Sequence, residues 1–152
     1  MKHRVAVLSI TIVCLLLICL STFADSLSIG KAKLLFDSYT TLSDNFDPAV
    51  ADLYADDAVI KMHKTDPSGE TREMQMNGTQ FKNSLRLSMP IAKARGDVDV
   101  FNDVTYTEEG KNVRIKASRF NKMKNYTMPH EIVVGPDASG EWKILEEVAN
   151  SE

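Results

Sequence analysis

Hydrophobic residues are spaced in two different ways along this chain. Ala32, Leu35, Phe36 and Tyr39 recur at i, i+3, i+4 and i+7, one face of a helix, and predict a helix from about Ser28 to Leu42. Asp47-Pro48 then offers an N-cap and a first-turn proline, and Val50, Leu53 and Tyr54 form the apolar side of a short second helix. From Val59 the period becomes two. Ile60 and Met62 alternate with Lys61 and His63, Asp66-Pro67-Ser68-Gly69 turns the chain, and Met74 and Met76 alternate with Glu73 and Gln75, which predicts a hairpin. A third helix follows Gly78, capped by Thr79, with Phe81, Leu85, Met89 and Ala92 inward and a kink or break at Pro90. Four strands complete the pattern, at about Val98 to Thr107, Asn112 to Phe120, Tyr126 to Val134 and Glu141 to Ala149, joined by turns short enough for an antiparallel meander. The expected class is α+β: a cone-shaped, curved, mixed but mostly antiparallel sheet wrapped on helices.

The first residues change the domain picture. Met1-Lys2-His3-Arg4, an apolar run from Val5 to Leu20 and then Ser21-Thr22-Phe23-Ala24 match the charged, apolar and small-residue parts of a secretory signal peptide. The apolar run is slightly short for a membrane span of roughly 20 residues. The residue before Cys19 is Ile18, where a lipoprotein signal carries a small residue. Cleavage is expected after Ala24, giving a secreted or periplasmic protein with no membrane attachment and one domain over residues 25–152. Of 152 residues, 128 then remain, enough for one core. Both cysteines, Cys14 and Cys19, leave with the signal, so the mature domain relies on packing without a disulfide or thiol.

Losing Lys2 and Arg4 takes the basic residues from 18 to 16 against 21 acidic ones, and the formal charge from −3 to −5. This balance excludes nucleic acid as the main partner, because phosphate binding needs a clustered positive face. The basic stretch Arg114 to Lys124 reads as a solvated strand face and turn.

Two motifs begin and fail. His130-Glu131 opens a zinc-protease signature, but Val134 stands where the second histidine is needed, and the segment has the period of a strand. Gly135 and Gly140 are followed by Glu141-Trp142, where a phosphate loop needs Lys and then Ser or Thr. No cofactor and no metal is expected. Asn77-Gly78-Thr79 and Asn125-Tyr126-Thr127 are glycosylation sequons.

"DPAVADLYADDAVI", Asp47 to Ile60, together with the order of elements over residues 28–149, resembles the nuclear transport factor 2-like superfamily, which includes ketosteroid isomerases and SnoaL-like polyketide cyclases. The resemblance implies the cone fold and a homodimer through the sheet. Its isomerase members use a tyrosine on the first helix, matched here by Tyr39. They also use an aspartate base on the first strand and a protonated aspartate on a late strand. The base position is Met62 and no aspartate stands between Met128 and His130, so the resemblance does not imply isomerisation by the usual residues.

The remaining signal is geometric. With the turns centred as above, Asn102, Ala117, His130 and Glu146 share one row across four strands, with Arg119 diagonal to His130. These residues, small Ala117 apart, are polar on phases otherwise filled by apolar side chains. A buried charge without a partner costs several kcal/mol, so stability alone would favour apolar residues there. Asn102, Arg119, His130 and Glu146 are therefore expected at the polar end of a ligand pocket walled by Met62, Met74, Tyr39 and Phe36. A satisfied pair of His130 and Glu146 inside the sheet is the alternative. Pro129 suits an edge or bulge, where a one-residue slip would turn His130 outward. Three functions follow: binding of a small apolar or weakly acidic molecule without turnover; proton transfer by His130, Glu146 and Tyr39, as in an isomerase, cyclase or dehydratase; or a protein-interaction module with a filled cone and an apolar outer sheet face.

Overall fold

The computed structural model describes residues 27–66 and 68–151; the expected leader, its cleavage site and Pro67 lie outside them. Helix α1 is described over 27–44, followed by a 3-10 helix at Pro48–Leu53. Strands β1 (Tyr54–Thr65) and β2 (Thr71–Asn77) form the hairpin, α2 (Gly78–Arg95) follows, and β3 (Asp99–Glu109), β4 (Asn112–Asn121), β5 (Tyr126–Pro136) and β6 (Trp142–Ser151) form the meander. All six strands make one sheet in the order β2-β1-β6-β5-β4-β3. Only β1 and β6 run parallel, so the α+β class and the mostly antiparallel, mixed sheet are as expected. No helix among the described residues is long and apolar enough to cross a membrane.

Helix ends bring two residues to one place. Helix α1 stops in a Schellman motif, with Asp47 N donating to Leu42 O (2.9 Å) and Phe46 N to Ser43 O (2.9 Å). Phe46 occupies its left-handed position at φ 54°, where glycine is usual. Helix α2 ends in the same motif, with Gly96 at φ 64° and Asp97 N donating to Ala92 O (3.0 Å). The start of α2 differs from expectation: Asn77, not Thr79, is the cap. Its side chain accepts from Gln80 N (2.9 Å) while Gln80 Oε1 accepts from Asn77 N (3.1 Å), a capping box that satisfies two backbone donors. Pro90 does not end α2, which continues to Arg95. Tyr54 is the first residue of β1 rather than part of the short helix.

The core is the concave face of the sheet under α1, built from Ile60, Val113, Ile115, Ile132, Val134 and Ile144, with Ala32, Phe36 and Tyr54 against them. Each such aliphatic side chain contributes about 1.5–3 kcal/mol when fully buried. Between β4 and β5 the register is the expected one, Ala117 opposite His130. Pro129 does not turn His130 outward. Pairing with β6 begins only at His130, so the missing N–H of Pro129 falls beyond that ladder, and His130 stays inside at 2% exposure.

Two irregularities alter the rest. In β3 an extra residue lies between the Asn102–Ser118 and Thr105–Lys116 pairs, and Asp103 there has φ 53°. In β6 an extra residue lies between the pairs Val134–Ile144 and Val133–Glu146. Each is a β-bulge, which reverses the side to which the following residues point.

Candidate functional site

Because of the β6 bulge at Leu145, Ile144 and Glu147 both face inward and Glu146 is exposed on the outer face. The expected His130–Glu146 row is thus corrected: His130 pairs with Ala149, and the carboxyl beside it belongs to Glu147. Glu147 stands in a row of Met76, Ile60, Ile132 and Ile115, the one ionisable residue among them. On β3 the bulge leaves Asn102 exposed and puts Phe101 inside, opposite Arg119. Met74 pairs with Met62 but lies on the edge strand and is 54% exposed. Phe36 is buried behind the site, its ring 5.9 Å from that of Tyr39. Of the residues expected together, Tyr39, Met62 and Arg119 do line one cavity; Asn102, Glu146, Met74, Phe36 and His130 do not, although His130 Nε2 stands 3.6 Å from an oxygen of Glu147, which does.

That cavity, about 300 Å³, opens between α1, α2 and the inner face of the sheet. Phe81, Leu85, Met89 and Ala92 of α2 form one wall, as their spacing predicts. Six aromatic rings surround it: Tyr39, Phe46, Tyr54, Phe81, Phe101 and Tyr126. Tyr39 comes from the last turns of α1 and Phe46 from the turn that ends it, reaching its place only because the chain there takes the left-handed conformation.

At the inner end Tyr54 donates its hydroxyl to Glu147 Oε2, and Tyr39 in turn interacts through its hydroxyl with Tyr54. The other oxygen, Glu147 Oε1, is 3.6 Å from His130 Nε2. The His130 ring lies between Tyr39, stacked at 6.2 Å, and Phe101 at 5.3 Å, and neither ring nitrogen has a hydrogen-bond partner among the described residues. Burial dominates the protonation of this group. It raises the Glu147 carboxyl from 4.5 to about 7, against the Tyr54 hydrogen bond and the Arg119 charge, which favour the anion. It lowers His130 from 6.5 to about 3, with Arg119 adding to the effect. The spacing alone would suit an ion pair, but desolvation keeps the imidazole neutral, so Glu147 has no buried cation on its histidine side. Burial, and then the negative field of Glu147, hold the hydroxyls of Tyr39 and Tyr54 protonated well above the usual range.

Nearer the mouth, Arg119 Nη2 donates to Asn150 O (2.6 Å) and its Nη1 is 3.8 Å from Asp99 Oδ2. Asn121 spends both amide protons on carboxylates, one on Asp97 (2.7 Å) and one on Asp99 (2.8 Å). Burial raises the Asp99 carboxyl, while Arg119 and Asn121 pull it down. Lys124 stands over the Tyr126 ring at 5.6 Å from its centroid. Among the described residues no group of three or more His, Cys, Asp or Glu side chains is arranged to hold a metal ion.

Sequence reasoning missed Glu147, Tyr54, Phe101 and Asp99. A usable signal exists: Ile144-Leu145 is an adjacent apolar pair inside an alternating strand, which marks a bulge. Met62, expected at the isomerase base position, lines the cavity, and a carboxyl reaches the same cavity from the neighbouring strand, since Ile60 and Met62 pair with Glu147 and Ala149.

No protein-family model and no curated protein matches the chain. Solved structures do. An NTF2-like protein of unknown function from Pseudomonas putida is 12% identical, with 78% of this chain and 82% of that one covered at a TM-score of 0.58. A candidate dehydratase of the NTF2-like family from Streptomyces avermitilis is 14% identical over 83% of this chain and 96% of the other, at 0.57. A protein from Catenulispora acidiphila, in complex with S-DNPA, is 11% identical over 82% and 93%, at 0.54. Identities this low speak to architecture alone, and with the sheet order and helices described above they establish that the chain has the NTF2-like α+β cone fold.

Proposed function

We propose that the exported domain, released after Ala24, binds a small, largely apolar molecule inside the cone and presents one polar group of it to Glu147. The observation that carries this reading is a buried carboxyl in the wall of an open, aromatic-lined cavity of about 300 Å³. A purely structural interior would fill that row with an aliphatic residue, as its neighbours Ile60 and Ile132 do, and avoid a desolvation cost of several kcal/mol. The solved relative in complex with S-DNPA supports a ligand role for this fold. An interaction module fits less well. The cone is not filled, and the outer face carries ion pairs, Arg114 to Glu109 (2.6 Å) and to Glu131, with Val59 its one exposed large hydrophobic residue among those described.

One observation favours turnover as a second reading. A carboxyl held near pH 7 can both give and take a proton at neutral pH, which is what general acid–base catalysis requires. In that reading Glu147 is the catalytic residue, and the Tyr54 hydroxyl positions its Oε2. A panel of small apolar ketones, alcohols and amines, followed by amide-shift NMR, tests both readings. Shifts at Glu147, Tyr54 and Phe101 are expected for at least one compound. No shift at these residues with any compound sinks the binding reading, and binding without conversion or solvent-deuterium exchange sinks turnover.

A further inference from the structure

The charges around the cavity narrow its ligand, given the reading of the cavity as a binding site. Among the described residues four carboxyl groups line it, Asp44, Asp97, Asp99 and Glu147, against two cations, Arg119 and Lys124. Both cations are already engaged. Arg119 is held by the Asn150 carbonyl and lies beside Asp99, and Lys124 sits on the Tyr126 ring. Glu147, the most deeply set acid, has a tyrosine hydroxyl on one oxygen and a neutral imidazole near the other. An acidic ligand entering here would meet an excess of negative charge. A neutral ligand would leave Glu147 buried without compensation whenever it ionises.

The six rings supply the complementary feature. The faces of tyrosine and phenylalanine carry negative potential and attract a cation within about 6 Å of the ring centre. The Lys124–Tyr126 contact at 5.6 Å is such an arrangement at the rim. Aromatic walls with a net excess of carboxylate are what an ammonium group on an apolar body requires: the rings take the body and the alkylated nitrogen, and the carboxylate takes the charge.

We propose that the cavity is selective for a compact organic cation, an amine or quaternary ammonium group on an apolar body, over neutral and acidic molecules of the same shape. Binding then couples to protons. The groups that face Glu147 are Tyr54 and Tyr39, which stay protonated, His130, which stays neutral, and Arg119 with its neighbour Asp99, 3.8 Å apart. Glu147 is therefore the group that loses a proton when the cation arrives.

The experiment is calorimetric titration of the purified protein with benzylammonium, benzyl alcohol and benzoate at neutral pH, repeated in buffers of different ionisation enthalpy. Benzylammonium is expected to bind at least about tenfold more tightly than benzyl alcohol, which corresponds to 1.4 kcal/mol. It should release a fraction of a proton to the buffer and weaken as the pH falls below 7. Glu147→Gln should abolish the proton release and cost the cation about tenfold, a conversion of the same size. Should that variant fail to fold, the buffer dependence of the unmodified protein decides alone. Equal or tighter binding of benzyl alcohol or benzoate, or proton uptake with benzylammonium, overturns the preference for cations and leaves the ligand cavity standing. Binding by none of the three overturns both.

Discussion

Replacing Glu147 with glutamine keeps the shape of the side chain and an acceptor for the Tyr54 hydroxyl but removes the ionisation. In the folded protein this carboxyl titrates near 7; in the unfolded chain it titrates near 4.5. Below the lower value both states are protonated and the group has no pH-dependent effect. Between the two values the unfolded chain ionises and the folded one does not, so stability falls as pH rises. Above 7 the loss is complete. At ~1.4 kcal/mol per pH unit the loss amounts to about 3 kcal/mol. His130 produces the opposite slope. Its folded value is depressed from 6.5 to about 3, so its contribution is complete above 6.5 and is lost as pH falls toward 3. In the unmodified protein the two slopes cancel between 4.5 and 6.5 and hide both titrations. The difference between Glu147→Gln and the unmodified protein removes His130 and every other shared group. Urea unfolding followed by circular dichroism, from about pH 4 to about pH 8, should show the variant gaining about 3 kcal/mol relative to the parent across that range. A difference that stays constant with pH would mean that Glu147 ionises as it does in water, and the account of a desolvated carboxyl would fail.

Two further outcomes test the surroundings of the site. Tyr54→Phe removes the donor that favours the charged form of Glu147, so the carboxyl should titrate above 7; a carbon NMR titration of the Glu147 side chain reads this directly, and a lower value would contradict the hydrogen bond. Gly78→Ala puts a methyl group 1.8 Å from the Ala55 carbonyl oxygen, a backbone atom that cannot rotate away. The crowding should cost about 3 kcal/mol despite a gain in helix propensity of about 1, and an unchanged unfolding midpoint would show that α2 does not sit against β1 as described.

Most of the fold could be read from the sequence because periodicity and turn chemistry are local. Residues three and four apart between Ala32 and Tyr39 have one way to bury themselves together, and Gly69, Gly110 and Gly140, all at positive φ, mark turns that few other residues tolerate. The cap of α2 was less legible. Asn77-Gly78-Thr79-Gln80 offers two residues able to cap, and the choice of Asn77 depends on Gly78 lying against the Ala55 backbone, a tertiary contact. The β4–β5 register followed from a turn that Asn125 closes at φ 56°, and it placed His130 opposite Ala117 correctly.

The site was harder to read because it depends on two bulges. Alternation is a rule of parity, and one extra residue in a strand reverses it for everything that follows. At Asp103 the reversal reconciles Phe101 and Val104, three apart, with a single inner face; at Leu145 it does the same for Ile144 and Glu147. In each strand the bulge exchanges a polar residue expected inside, Asn102 or Glu146, for the neighbour beside it. For β3 the exchange is favourable in itself, since it buries a phenylalanine. For β6 the other parity would also have taken a glutamate inside, so hydrophobicity does not choose between the two registers at that position. What favours the observed one is the pair of flanking residues: Ile144 keeps its place in the core opposite Val134, and Ala149, small enough to leave room for the His130 ring and the cavity, stands inward instead of Val148. The carboxyl that faces the cavity is thus selected by the packing of its neighbours, a choice that the sequence of β6 carries only when it is read together with the strands on either side.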